Sequence, residues 1–259
     1  MAALVVLLFA LAATGGLYAA LAPAPKAQAQ DSGQQSLAIE QGKKLYDVGC
    51  ASCHNSNGQG SDDGPSLVGV GSAAVDFQVG TGRMPAQQPG PQVEKKKVIY
   101  TQAQIDQLAA YIASLGPGPA APTKDQYSPA DADVAKGGEL FRTNCSQCHN
   151  FVGKGGALTH GKFAPSLKGS SSKHIYEAMQ TGPQNMPSFP DSTMPSKDKA
   201  DIIAYLHAVD TAQSPNPGGF TLGSLGPVSE GLFAWVFGLG TLLGLAVWLA
   251  ARNTKAKKS

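Results

Sequence analysis

Charge is scarce in this chain. Only 15% of its 259 residues are Asp, Glu, Lys or Arg. No basic stripe is interleaved with aromatics, which excludes a nucleic-acid-binding surface. From Asp31 to Ser229 there are 15 basic and 17 acidic residues. The net charge of +2 therefore comes from the C-terminal end, where Arg252, Lys255, Lys257 and Lys258 stand. Cysteine is limited to Cys50, Cys53, Cys145 and Cys148, two C-x-x-C pairs with none left over. Such pairs allow a disulfide, a zinc site, a redox dithiol or haem attachment. Runs that alternate apolar and polar residues are missing too, which leaves the helix as the expected regular element. Glycine and proline, at 31 and 18 residues, exceed average usage and indicate loop-rich domains.

Two long stretches carry no charge. Residues 231–251, GLFAWVFGLGTLLGLAVWLAA, would span about 31 Å as a helix, enough for a hydrocarbon core. Trp235 and Trp248 lie near its ends, where indoles favour the membrane interface. A helix that is apolar on every face has no side for water, which argues against a buried core helix. The basic tail, residues 252–259, places the C-terminus in the cytoplasm and the preceding domains on the extracytoplasmic side of the cell membrane. Ala2–Ala22 lies in an N-terminal segment, residues 1–30. Its length favours a retained transmembrane anchor, whereas Ala27-Gln28-Ala29 resembles a signal-peptide cleavage site. Either outcome leaves the middle of the chain outside.

The middle repeats itself once. GKKLYDVGCASCHN (42–55) matches GGELFRTNCSQCHN (137–150), and GPSLVG (64–69) matches APSLKG (164–169). TGRMP (81–85) matches TGPQNMP (181–187), and DQLAAYIASL (106–115) matches DIIAYLHAV (201–209). The landmarks keep their order, so two domains of one fold are expected, at 36–116 and 130–212. Between them lies a Pro/Gly-rich linker, residues 117–129, and a second linker, 213–230, leads to the apolar helix. Ile105, Leu108, Ile112 and Leu115 share one helix face, as do Ile202, Tyr205, Leu206 and Val209. Each repeat is expected to open with a short helix ending at its cysteines. Domains of this size have a small core, which a large flat cofactor would complete.

Cys50-Ala51-Ser52-Cys53-His54 and Cys145-Ser146-Gln147-Cys148-His149 both fit C-x-x-C-H, the c-type haem attachment signature. Two thiols one helical turn apart can form thioethers to both vinyl edges of a porphyrin, and the next histidine projects toward the iron. A four-cysteine zinc ribbon needs pairs much closer in sequence and leaves both histidines unexplained. A redox dithiol wants a strand–helix setting. Met84 and Met186 follow the two histidines, and each precedes a proline and the last helix of its repeat. They are the candidate sixth ligands. A thioether favours ferrous iron, whereas a lone methionine is otherwise core filler. Met179, Met194, His160 and His174 are the competitors in the second domain. His207 reads as a surface or packing residue.

At this point the chain resembles class I cytochrome c. The resemblance implies that Pro65 and Pro165 offer their carbonyls to His54 and His149. It also implies that the first helix packs on the last through Gly42, Tyr46 and Tyr111, and through Gly137, Phe141 and Tyr205. Ala164 replaces the Gly that usually opens the proline motif. Over nearly its whole length, and especially in FVGKGGAL (151–158), KFAPSL (162–167) and TGPQNMP (181–187), the chain resembles the dihaem cytochrome c subunit (cytochrome cc) of the actinobacterial cytochrome bc1 (bcc) complex. That family implies an all-α protein of two tandem class I cytochrome c domains with two covalently bound haem c groups. It implies a subunit of quinol–cytochrome c oxidoreductase, a respiratory translocase. Electrons would come from the Rieske iron–sulfur subunit beside cytochrome b, pass through haem 1 and haem 2, and leave to cytochrome c oxidase in a supercomplex. Six-coordinate irons have no open substrate site, so the chain alone would be a carrier. A dihaem subunit of a terminal oxidase or dehydrogenase is the first alternative, and a dihaem peroxidase or sensor the second.

Overall fold

The structure, a computed structural model, describes residues 2–21, 26–90, 92–128, 131–210 and 227–256. The chain enters through an apolar helix, α1 (Ala2–Leu21). The first domain follows with α2 (Lys26–Gly49), the short α3 (Ala51–His54), α4 (Gly71–Gly80) and α5 (Gln102–Ser114). A four-residue helix, α6 (Lys124–Tyr127), precedes the second domain. That domain repeats the order with α7 (Val134–Asn144), α8 (Ser146–His149), α9 (Ser172–Thr181) and α10 (Ser196–Asp210). The C-terminal helix runs as α11 (Pro227–Phe233), a π-helical stretch Ala234–Leu239 and α12 (Gly240–Ala256). Within it, Glu230–Arg252 is long and apolar enough to cross a membrane, and none of it is buried against the rest of the chain. Most of linker 213–230 lies outside the described residues, as do Lys257 and Lys258.

Two elements differ from the sequence expectation. The first helix is not short: α2 has 24 residues. Its N-terminal half is polar and lacks proline, so a helix anchored by its docked end propagates back through it. The second domain also contains a small antiparallel pair, β1 (Gly156–Ala157) with β2 (Phe163–Ala164). Two-residue strands are too short to leave an alternating pattern.

Each domain is held by its first and last helices. A Cβ at Gly42 of α2 would lie 1.9 Å from the Gln107 carbonyl oxygen of α5. At Gly137 of α7 it would lie 1.8 Å from the Asp201 carbonyl oxygen of α10. Only glycine allows such backbone contact. Beside each crossing an aromatic pair fills the gap: Tyr46 with Tyr111 at 5.1 Å between ring centres, and Phe141 with Tyr205 at 5.4 Å. Local signals set the ends. Thr101 and Gln104 form a capping box on α5, the Asp133 carboxylate accepts from the first turn of α7, and Ser171 caps α9.

The two domains dock through α4 and α9. Lys173 pairs with Asp76, and the His174 ring meets Phe77 edge to face. A segment after Met84 reaches across as well. Gln92 exchanges two hydrogen bonds with the Phe163 backbone, at 2.6 and 2.9 Å. The Gln184 side chain does the same with Val93, at 3.2 and 3.0 Å. The linker is pinned on its first-domain side, where Ala73 N donates to the Pro119 carbonyl and Ala121 N to the Ser72 hydroxyl. Burial, then the Asp76 charge, pushes the Glu177 carboxyl up from 4.5 to about 8.

Gly42→Ala and Gly137→Ala should each destabilise their domain by about 1–3 kcal/mol, because the added methyl meets backbone and cannot be accommodated by a rotamer change. Denaturant unfolding followed by circular dichroism checks this. Glu177 has a folded pKa above its unfolded one, so its contribution is present below about 4.5 and lost as pH rises through about 8. In metal-free buffer, Glu177→Gln should therefore melt progressively higher than the parent as pH is raised from 5 to 8.5.

Candidate haem sites

The helix that opens each domain delivers its cysteines. Cys145 closes α7, donating its amide to the Phe141 carbonyl at 2.8 Å, and Cys50 does the same to Tyr46 at 2.8 Å. The next turn is tight and nearly identical in the two copies. His54 N donates to the Cys50 carbonyl at 3.0 Å, and His149 N to the Cys145 carbonyl at 2.9 Å. All four thiols are free. Burial, then the neighbouring cysteine, pushes the Cys50 and Cys145 thiols up to about 11.

Both histidines are 8% exposed. The Nδ1–H of His54 donates to the Pro65 carbonyl at 2.8 Å, and that of His149 to the Pro165 carbonyl at 3.1 Å. A carbonyl only accepts, so the proton sits on Nδ1 and leaves the Nε2 lone pair for a metal. Burial lowers the His149 pKa, and the Pro165 bond opposes it. The loop behind each histidine closes in the same way. Gly60 N and Gly155 N return to the His54 and His149 carbonyls, each at 2.9 Å. Asn55 and Asn150 both take a φ of 65°, on the side that Asn tolerates better than most residues.

Met84 and Met186 are both half-buried. Met84 packs against the same apolar cluster as Cys50 and Leu67, and Met186 against the cluster that contains Cys145. The competing methionines are elsewhere: Met179 and Met194 sit inside the second core, 3% and 5% exposed. His160 is exposed in a short 3-10 turn, His174 lies in the contact between domains, and His207 neighbours the Ser172 hydroxyl at 3.3 Å. One pairing was not legible in the repeat. The Tyr46 hydroxyl donates to the Asn55 carbonyl, and the Tyr205 hydroxyl to the Phe151 carbonyl, both at 2.6 Å. The two tyrosines steady the same loop from opposite helices, the first in one domain and the last in the other.

Comparison with known proteins agrees with this geometry. The family described as "Cytochrome c" matches residues 39–116, and the one described as "Cytochrome C oxidase, cbb3-type, subunit III" matches residues 132–206. The cytochrome bc1 complex cytochrome c subunit of Mycobacterium leprae is 47% identical over 252 residues, covering 95% of this chain and 86% of that protein. Its counterpart in Corynebacterium efficiens is 45% identical over 258 residues, covering 94% and 86%. The chain belongs to the family of cytochrome bc1 complex cytochrome c subunits. A more distant relative is the cbb3-type cytochrome c oxidase subunit FixP of Azorhizobium caulinodans, 28% identical over 194 residues, covering 69% of this chain and 62% of that one. Each of the two matched regions contains one C-x-x-C-H turn. The residues present fit a c-type haem in each: paired thiols, a buried imidazole whose Nδ1–H is held by a proline carbonyl, and a thioether on the same core.

The two hydroxyl bonds give a directional test. Tyr205→Phe should cost about 1 kcal/mol through the lost bond to Phe151. Tyr111→Phe, at the matching position of the first domain, should cost less, because there the hydroxyl bond is made by Tyr46. Parallel denaturant titrations of the two variants check the order.

Proposed function

We propose that the chain is a membrane-anchored dihaem electron relay, the cytochrome c subunit of a respiratory cytochrome bc1 (bcc) complex. Cys50 and Cys53 hold one haem covalently, and Cys145 and Cys148 the other. His54 with Met84, and His149 with Met186, are the axial ligands. Bound haem supplies a one-electron iron couple at each site. Pro65 and Pro165 fix the imidazole tautomer and orientation. The single observation that carries this reading is the buried histidine in each C-x-x-C-H turn, its Nδ1–H committed to a proline carbonyl.

Membership of the family supports the following route. Electrons come from quinol through the Rieske subunit beside cytochrome b, enter the first domain, cross to the second and leave to cytochrome c oxidase. The docked domains suit a fixed relay, since α4, α9 and the Gln92 and Gln184 contacts hold one domain to the other. Charge agrees: residues 36–116 and 130–211 are nearly neutral, and a tethered carrier needs no steering field. The Glu230–Arg252 helix anchors the relay, with the domains extracytoplasmic and the tail cytoplasmic. The similarity of the second domain to an oxidase subunit favours one other placement, a dihaem subunit of a terminal oxidase.

Carbon monoxide tests the closed coordination. The reduced protein should bind none at neutral pH, whereas Met84→Ala and Met186→Ala should each open one haem to it. Strong binding by the unsubstituted protein would instead support a peroxidase or sensor. Cys145→Ala should leave assembly intact and stop electron flow to the oxidase, which separates a relay from a purely structural link.

A further inference from the structure

We propose that Asp76 of the first domain and His174 and Glu177 of the second form a binding site for one divalent cation of the zinc class, clamped between the two domains. The inference uses only the contact of α4 with α9 and stands apart from the haem assignment.

One carboxylate oxygen each from Asp76 and Glu177 and one imidazole nitrogen of His174 lie within 4.8 Å of one another. The His174 Nε2 to Asp76 Oδ1 separation is 3.8 Å. Donors about 2.1 Å from a tetrahedral zinc stand roughly 3.4 Å apart, so side-chain adjustments of about 1 Å would close the site. Two carboxylates and a neutral imidazole are the mixed oxygen and nitrogen set that zinc accepts, with a fourth position left for water.

The second observation is Glu177 itself. It is 0% exposed, yet neither of its oxygens has a hydrogen-bond partner. Asp76 Oδ1, also buried, is unpartnered as well. Buried carboxylate oxygens are almost always satisfied, and here one from Asp76 and one from Glu177 lie with the His174 nitrogen around one spot, which suits a positive group. Lys173 does not fill the role. Its ammonium is committed to Asp76 Oδ2 and stays 3.8 Å from Glu177. Gln102 adds only a long contact to Asp76 Oδ2, at 3.4 Å. The Lys173 side chain is 28% exposed, so it can turn to solvent and leave two carboxylate charges to balance a divalent ion.

Because the ligands come from both domains, a bound ion would fix their spacing. The test uses the full-length, haem-loaded chain in detergent, stripped with chelator and titrated with zinc chloride. One zinc per chain is expected. His174→Ala and Glu177→Gln should each weaken it by more than about tenfold. Lys173→Met should bind at least as tightly as the parent, since it removes a competing cation. The haem absorption of every variant reports that it is folded. Zinc affinity unchanged in both ligand variants would overturn the site, as would a Lys173→Met loss as large as theirs. Zinc-edge X-ray absorption on the unsubstituted protein needs no variant. One histidine nitrogen with oxygen donors supports the site, and sulfur or several histidines would refute it.

Discussion

Backbone-to-backbone contact between the first and last helix of each domain is the constraint on which the remaining geometry rests. At Gly42 and Gly137 the partner carbonyl lies where any side chain would begin. That approach sets the direction of α2 and α7, and both helices run straight into a cysteine. The C-x-x-C-H turn therefore starts from a fixed point. The hydrogen bonds from His54 and His149 back to their cysteines, and onward to Pro65 and Pro165, then define the imidazole. A small domain with this few buried side chains has little other means of holding a site rigid.

The second level of organisation is the docking of one domain on the other. It is polar and partly buried: Asp76, Lys173, His174 and Glu177 lie at its centre, and two reciprocal amide pairs lie at its edge. Polar contacts of this kind give weaker adhesion than an apolar face but stronger positional preference, because each buried group requires a particular partner. For the proposed relay, position matters more than adhesion. The linker contributes by being pinned along Ser72–Ala73 before α6 leads into the second domain.

Much of this was legible in the sequence. The repeat, the two C-x-x-C-H turns and the helix faces of Ile105, Leu108, Ile112, Ile202 and Leu206 point to two copies of one helical fold. The glycines at 42 and 137 and the membrane-length apolar stretch were equally readable. What was hidden has specific causes. The extent of α2 was not visible because its N-terminal half has no apolar periodicity. The β1–β2 pair is too short to pattern. The exchange of roles between Tyr46 and Tyr205 escaped because an alignment pairs positions, whereas the two domains share only a hydroxyl bond to a backbone carbonyl of this loop. The docking residues escaped for a related reason. A repeat reports what two domains share, and an interface between them is made from what they do not.

The central claim is that one chain carries two haems inside a quinol-oxidising complex. Affinity purification of this chain from membranes in mild detergent addresses it directly, with haem c measured by pyridine haemochrome and subunits identified by mass spectrometry. The account predicts two haem c per chain, with cytochrome b, a Rieske protein and oxidase subunits in the same peak. A single haem per chain, or oxidase subunits without cytochrome b, would contradict it.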